Sequence, residues 1–140
     1  MPFDLKPGVM DLLASLIERN VPAVMVTSSN EQKMTSLWTR QPELRGFFKG
    51  IVTADMIHHS KPDPEGYLTG ARAIGVAPEN CFVFEDSIQG LQAGLSSGAA
   101  VIGLTTTNPL EKVHPLCHKM IPSFKDFSVD EMLLVLRHDK

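Results

Sequence analysis

Two adjacent carboxylates, Glu85 and Asp86, end a short apolar run and open into a glycine-spaced helix in CFVFEDSIQGLQAG, Cys81 to Gly94. Like charges that close repel, and each resists burial. Such a pair calls for a cation beside it. Two more polar clusters follow apolar runs or sit in the loops after them. Thr27-Ser28-Ser29 closes PAVMVTSS, and Ser60-Lys61-Pro62 lies in IHHSKPDP. Hydroxyls and open backbone N–H groups between a strand and a helix suit an anion, above all phosphate. A lysine in a loop stiffened by Pro62 and Pro64 neutralises a phosphate oxygen or a developing charge. Hard carboxylate oxygens suit Mg²⁺, which takes few carboxylates, several waters and substrate phosphates. Taken singly, the hydroxyls are a helix cap, Lys61 a solvated lysine, and Glu85-Asp86 acids at a helix N-terminus. Their order and placement make them a phosphate-plus-Mg²⁺ site.

The elements that must position these residues alternate along the chain. Val9, Leu12, Leu13, Leu16 and Ile17 have helical spacing, with Pro7 at the start and Asn20 at the end. Residues 22–29 form a compact apolar strand, and NEQKMTSLWTR a helix with Asn30 as its cap. IVTAD is a short strand, PEGYLTGARAIG a helix, CFVFED a strand, SIQGLQAGLSSG a helix and AAVIGL a strand. Ser128 to Glu131 spell a capping box before Met132, Leu133, Val135 and Leu136. Residues 105–127 are the least regular part. Alternating elements with continuous apolar strands predict an α/β layer fold, with a mostly parallel sheet covered on both faces. In such sheets ligands sit beyond the carboxyl ends of the strands, so the three clusters should converge there.

A chain of 140 residues with 43% hydrophobic residues is one domain's worth of core. The formal net charge of −3 argues against nucleic-acid or anionic-membrane partners. No segment is long and apolar enough to span a bilayer, and no leader is visible. Cys81 and Cys117 form no CxxC pair, and Cys81 reads as a buried thiol. A reducing compartment and a cytoplasmic location are expected. His58 and His59 line a loop. His114, Cys117 and His118 have partial zinc spacing without a fourth ligand.

The series VMVTSSN, SKPDPEGY and VFEDSIQGLQAG resembles the haloacid dehalogenase-like (HAD) phosphohydrolases, in the branch of β-phosphoglucomutase and small sugar-phosphate phosphatases. The opening LKPGVMDLL resembles the point where these proteins return from a helical cap to a three-layer Rossmann-like core. The resemblance implies that Thr27 binds the transferring phosphoryl group with its hydroxyl, helped by the Ser28 N–H. Lys61 would bridge that group and the nucleophile. Asp86 would ligate Mg²⁺ directly, and Glu85 directly or through water. The substrate would be a small phosphorylated metabolite.

The family's nucleophile is the first aspartate of a D-x-D-G motif on the first strand, and its second aspartate is the general acid and base. No D-x-D-G occurs here. Phe3-Asp4-Leu5-Lys6 imitates it, but Lys6 replaces the second acid and only Met1 and Pro2 precede it. Asp4 reads better as a hinge residue. Residues 1–140 are therefore expected to form one partial HAD-like core, without the first strand and cap. Such a chain would bind Mg²⁺ weakly and lack turnover, and would pair with the missing N-terminal segment or another copy. A non-catalytic remnant that binds phosphate, and a phosphomutase, are the alternative expectations.

Overall fold

The structure, a computed structural model, describes residues 8–138, with side-chain surroundings to residue 135. Asp4 and its neighbours lie outside the described residues. Helix α1 (Val9–Glu18) buries Leu12, Leu13 and Leu16 of the stripe its spacing predicts, whereas Ile17 is exposed. It starts at Gly8, whose φ of 86° is left-handed. A Cβ at Gly8 would fall 2.5 Å from the backbone nitrogen of Lys125, so this close approach also requires glycine. Then come β1 (Val24–Val26), α2 (Glu31–Arg40), β2 (Gly50–Val52), α3 (Glu65–Ile74) and β3 (Phe82–Glu85). They are followed by α4 (Ile88–Ser97), β4 (Ala100–Leu104), α5 (Leu110–Val113), β5 (Lys119–Ile121) and α6 (Val129–His138). Short 3₁₀ segments fill several of the connections.

The helix starts follow the sequence signals. Asn30 accepts a hydrogen bond from the Lys33 N–H at 2.9 Å. Ser128 and Glu131 form the reciprocal box, with Glu131 N–H on Ser128 Oγ at 3.1 Å and Ser128 N–H on Glu131 Oε1 at 3.2 Å. Residues 105–127, irregular by sequence, contain a strand: Lys119–Ile121 pairs with Ile102–Leu104. Three residues are too few for a periodic pattern to declare itself.

All pairings are parallel, but they form two ladders, β1–β2 and β3–β4–β5. Strand β4 has a neighbour on each edge and helices on each face, and all five of its residues are buried. Its alternation feeds two cores. Ala100, Ile102 and Leu104 pack with α1, α2 and α6, whereas Val101 packs with Val83, Leu91 and Val113. The parallel, three-layer α/β core predicted from sequence is therefore present.

Strand β1 departs from the expectation of full burial: Val24, Met25 and Val26 are each half-buried. The reason is a cavity of about 570 Å³ between β1 and β3, lined by both strands and by Tyr67. Ala23 C=O accepts from Lys49 N–H and Thr27 N–H donates to Val52 C=O, so these odd-numbered residues bond toward β2. Successive residues of a strand bond to opposite sides. The N–H and C=O groups of Val24 and Val26 therefore point to the cavity. Cys81 C=O accepts from Ala100 N–H on the β4 side, so Phe82 and Phe84 likewise face the cavity from β3. Cys81 itself is half-buried rather than buried.

This difference in burial sets an expectation for stability. Ile102→Ala should cost about 2–5 kcal/mol, the range for a filled core site. Val26→Ala, beside the cavity, should cost roughly half of that or less. Urea unfolding of the two variants measures the contrast, and equal losses would mean that β1 is as well packed as β4.

Candidate active site

The polar clusters lie at the carboxyl ends of parallel strands. Thr27 follows β1, Thr53 follows β2, Glu85 ends β3, and Thr105 follows β4. The loop bearing Lys61 leads into α3, which packs on β1: a Cβ at Gly66 would lie 3.0 Å from Val26 Cγ1. The Lys61–Pro62 peptide is cis.

Glu85 accepts hydrogen bonds on both carboxylate oxygens. Its Oε2 accepts from Lys61 Nζ at 3.1 Å and from the Tyr67 hydroxyl at 2.7 Å. Its Oε1 faces the N–H groups of Asp86 and Ser87, at 3.0 and 3.2 Å, and Ser87 Oγ at 3.3 Å. The Glu85 and Lys61 side chains are only 12% and 17% exposed, so this ion pair is shielded from water. The cation beside the acid pair is thus Lys61, and the carboxylate's lone pairs are taken by protein donors. Gly90 makes the arrangement possible. A Cβ there would coincide with the Glu85 carboxylate, which lies against the first turn of α4. Burial, and next the negative charge of Glu85, push the Tyr67 hydroxyl above its usual range, so it stays a donor.

Asp86 faces elsewhere. Its Oδ2 accepts from Thr107 Oγ1 at 2.7 Å and Thr106 Oγ1 at 3.2 Å, and its main-chain oxygen accepts from Asn108 Nδ2 at 3.0 Å. Ser87 caps α4, accepting from Gly90 N–H at 3.0 Å.

Across the cavity, Thr27 Oγ1 accepts from the Ser29 N–H at 3.1 Å and Ser28 is exposed. The Ser28 N–H has no partner among the described residues. The start of α2 is less open than the sequence suggests, because Asp55 Oδ2 takes the Glu31 N–H at 2.7 Å. The structure thus joins Lys61 to Glu85 directly and puts Asp86 one residue on. Thr27 and Ser28 stand at the end of the neighbouring ladder, with no hydrogen bond to the others.

Sequence reasoning passed over Tyr67 and the Thr106-Thr107-Asn108 turn. Tyr67 was legible only as a helical position. The turn had a usable signal, since it too follows a strand's carboxyl end. His58 and His59 donate their main-chain N–H groups to Glu65, at 2.9 and 2.8 Å, which ties this loop to α3. His118 Nδ1 accepts from Val101 N–H at 2.9 Å and so serves the sheet.

Among the described residues, no three His, Cys, Asp or Glu side chains gather in a way that could hold a metal. The Asp86 carboxylate and its threonine hydroxyls are nevertheless hard oxygen donors. One carboxylate completed by water and phosphate is a set Mg²⁺ accepts.

A family model described as haloacid dehalogenase-like hydrolase matches residues 2–98. The validoxylamine A 7'-phosphate phosphatase of Streptomyces hygroscopicus subsp. limoneus is 38% identical over 104 residues, covering 74% of this chain and 48% of that protein. The β-phosphoglucomutase of Bacillus subtilis (strain 168) is 32% identical over 110 residues, covering 78% and 47%. The crystal structure of a HAD hydrolase, family IA, variant 3, from Entamoeba histolytica HM-1:IMSS superposes with a TM-score of 0.88 at 28% identity, covering 96% of this chain and 61% of that one. The chain spans about half the length of the curated relatives it matches.

Two outcomes follow from the geometry. Gly90→Ala should expel the Glu85 carboxylate and break its pair with Lys61, and a crystal structure of the variant would show whether Glu85 moves. Glu65 has its carboxyl held below the usual range, chiefly by the His58 N–H. Its contribution to order is present above the unfolded carboxyl's pKa and is lost as pH falls through the lower folded value. The protection of the His58 and His59 amides, relative to their intrinsic exchange rates, should therefore fall below the ordinary glutamate range, and Glu65→Gln should remove that pH dependence.

Proposed function

The chain belongs to the haloacid dehalogenase-like hydrolases, in the branch that includes β-phosphoglucomutase and sugar-phosphate phosphatases, and from that premise we propose that it forms the phosphate-binding side of a Mg²⁺-dependent phosphatase. The substrate class is a small phosphorylated metabolite, in keeping with the validoxylamine A 7'-phosphate named for the Streptomyces relative. The observation that carries the proposal is the shielded Lys61–Glu85 pair at the carboxyl end of β3, next to Asp86. Lys61 neutralises phosphoryl oxygens. Thr27 and the unpartnered Ser28 N–H bind the same group from the end of β1. Asp86 holds Mg²⁺, which supplies further charge neutralisation when bound. Glu85, with its oxygens occupied by protein donors, serves chiefly to hold Lys61, and would act on bound Mg²⁺ through water.

The nucleophilic carboxylate enters on a strand that fills the cavity between β1 and β3. That strand is a D-x-D-G segment, which residues 1–140 do not contain and which comes from outside this sequence. It pairs with the edge groups of Val24, Val26, Phe82 and Phe84. We place the protein in the cytoplasm, in keeping with the free thiols of Cys81 and Cys117. No helix of the described residues is long and apolar enough to cross a membrane. A non-catalytic phosphate-binding role is the second reading, favoured by the lack of a D-x-D-G in residues 1–140. A phosphomutase is the third, in view of the Bacillus relative.

A melting curve and a generic phosphatase assay with Mg²⁺, with and without a D-x-D-G strand peptide, test the proposal. The 140-residue chain alone should melt low and show no turnover. The peptide should raise both, and Lys61→Met should abolish the gained activity. Robust hydrolysis by the chain alone, lost in Asp4→Ala, would overturn the strand-insertion scheme and make Asp4 the nucleophile.

A further inference from the structure

Tyr67 has no part in the chemistry outlined so far, yet its side chain meets both halves of the central ion pair. It lies in the first turn of α3. Its body packs on the core cluster of Val83, Leu91 and Val101. Its hydroxyl donates to Glu85 Oε2 at 2.7 Å, the oxygen that Lys61 Nζ meets at 3.1 Å. Its ring centroid lies 5.1 Å from Lys61 Nζ. The ammonium thus has a carboxylate oxygen and an aromatic ring as neighbours, an attractive arrangement when shielded from water.

We propose that Tyr67 is a positioning residue that fixes the Lys61 ammonium for anion binding by bracing it with the ring and by holding Glu85 Oε2 with the hydroxyl. This assignment rests on the phosphate-site reading of Lys61. A lysine side chain is long and flexible, and an ion pair alone leaves it many geometries. The ring excludes some of them, and the hydroxyl stops Glu85 from following Lys61 as it moves. An ammonium has three donors. With one spent on Glu85, two remain for a phosphoryl oxygen. Tyr67 does not itself trade protons, because burial and the Glu85 charge keep its hydroxyl protonated.

The test is limited acetylation of the full 140-residue chain by a small amine-acylating reagent, read at each lysine by peptide mass spectrometry. In the unsubstituted chain Lys61 should react slowly beside the exposed Lys33, Lys49 and Lys112. Tyr67→Phe removes only the hydroxyl and should speed Lys61 roughly three- to tenfold, the scale of one lost hydrogen bond. Tyr67→Leu should speed it further, with the other three lysines unchanged. An unchanged Lys61 rate in Tyr67→Phe, or a rise at all four lysines together, would overturn the proposal and leave Tyr67 a core residue only. Added inorganic phosphate gives a separate readout. If Lys61 is slow, responds to Tyr67→Phe, and is not protected by phosphate, the positioning role stands and the phosphate-site reading fails.

Discussion

The Glu85 carboxylate sits at the end of β3 with little water to solvate it, and donors from three segments meet it there. Lys61 comes from the loop before α3, Tyr67 from α3, and the N–H groups of Asp86 and Ser87 from the turn into α4. A buried charge left without such partners would be costly. The same carboxylate therefore fixes the Lys61 loop and the entry of α4, and it requires Gly90 beside it. The juxtaposition of two acids is resolved by direction. Glu85 turns in to its donors, whereas Asp86 turns to the hydroxyls of Thr106 and Thr107. Adjacent residues at a strand end point opposite ways, so the two charges are separated.

The divided sheet gives this site its second boundary. Strands β1 and β3 face one another across the cavity, each paired on its other side only. Any strand running parallel between them would end between Thr27 and Glu85. The place where one ladder stops and the next begins is thus the place where the polar residues gather, in accord with the rule that α/β ligands sit at strand carboxyl ends. The half-buried state of Val24, Met25 and Val26 is the local signature of that division.

Much of this was legible in the sequence, for identifiable reasons. Helix starts were readable because Asn30 and the Ser128–Glu131 pair are side-chain caps with a fixed spacing. The site's placement was readable because strand-then-polar-cluster recurs three times in a fold whose strands are parallel. The Lys61–Glu85 contact was foreseeable only as charge balance, since 24 residues separate the partners. Two features were hidden. Strand β5 is too short for periodicity. Tyr67 looks like any helical aromatic until α3 is packed against β1 and the site. The cavity between β1 and β3 leaves no trace in the apolar pattern, because backbone groups that lack a neighbour are the same in every residue, and only the family resemblance, with its missing central strand, leads one to expect it.

The two ladders also differ in when they can form as the chain is made. The β1–β2 ladder is closed by residues 24–52, and α3 packs over it by residue 74. The β3–β4–β5 ladder lies wholly within residues 82–121. Each pairing is local, so neither has to wait for a long loop to close. On a ribosome, which releases the N-terminal part first, all residues of the first ladder are available before β4 and β5 are synthesised. The division that frames the site thus also divides the chain into a part available early in synthesis and a part available late. What joins them is the shared core of α1, α2, β4 and α6, with the Lys61–Glu85 pair closing the seam.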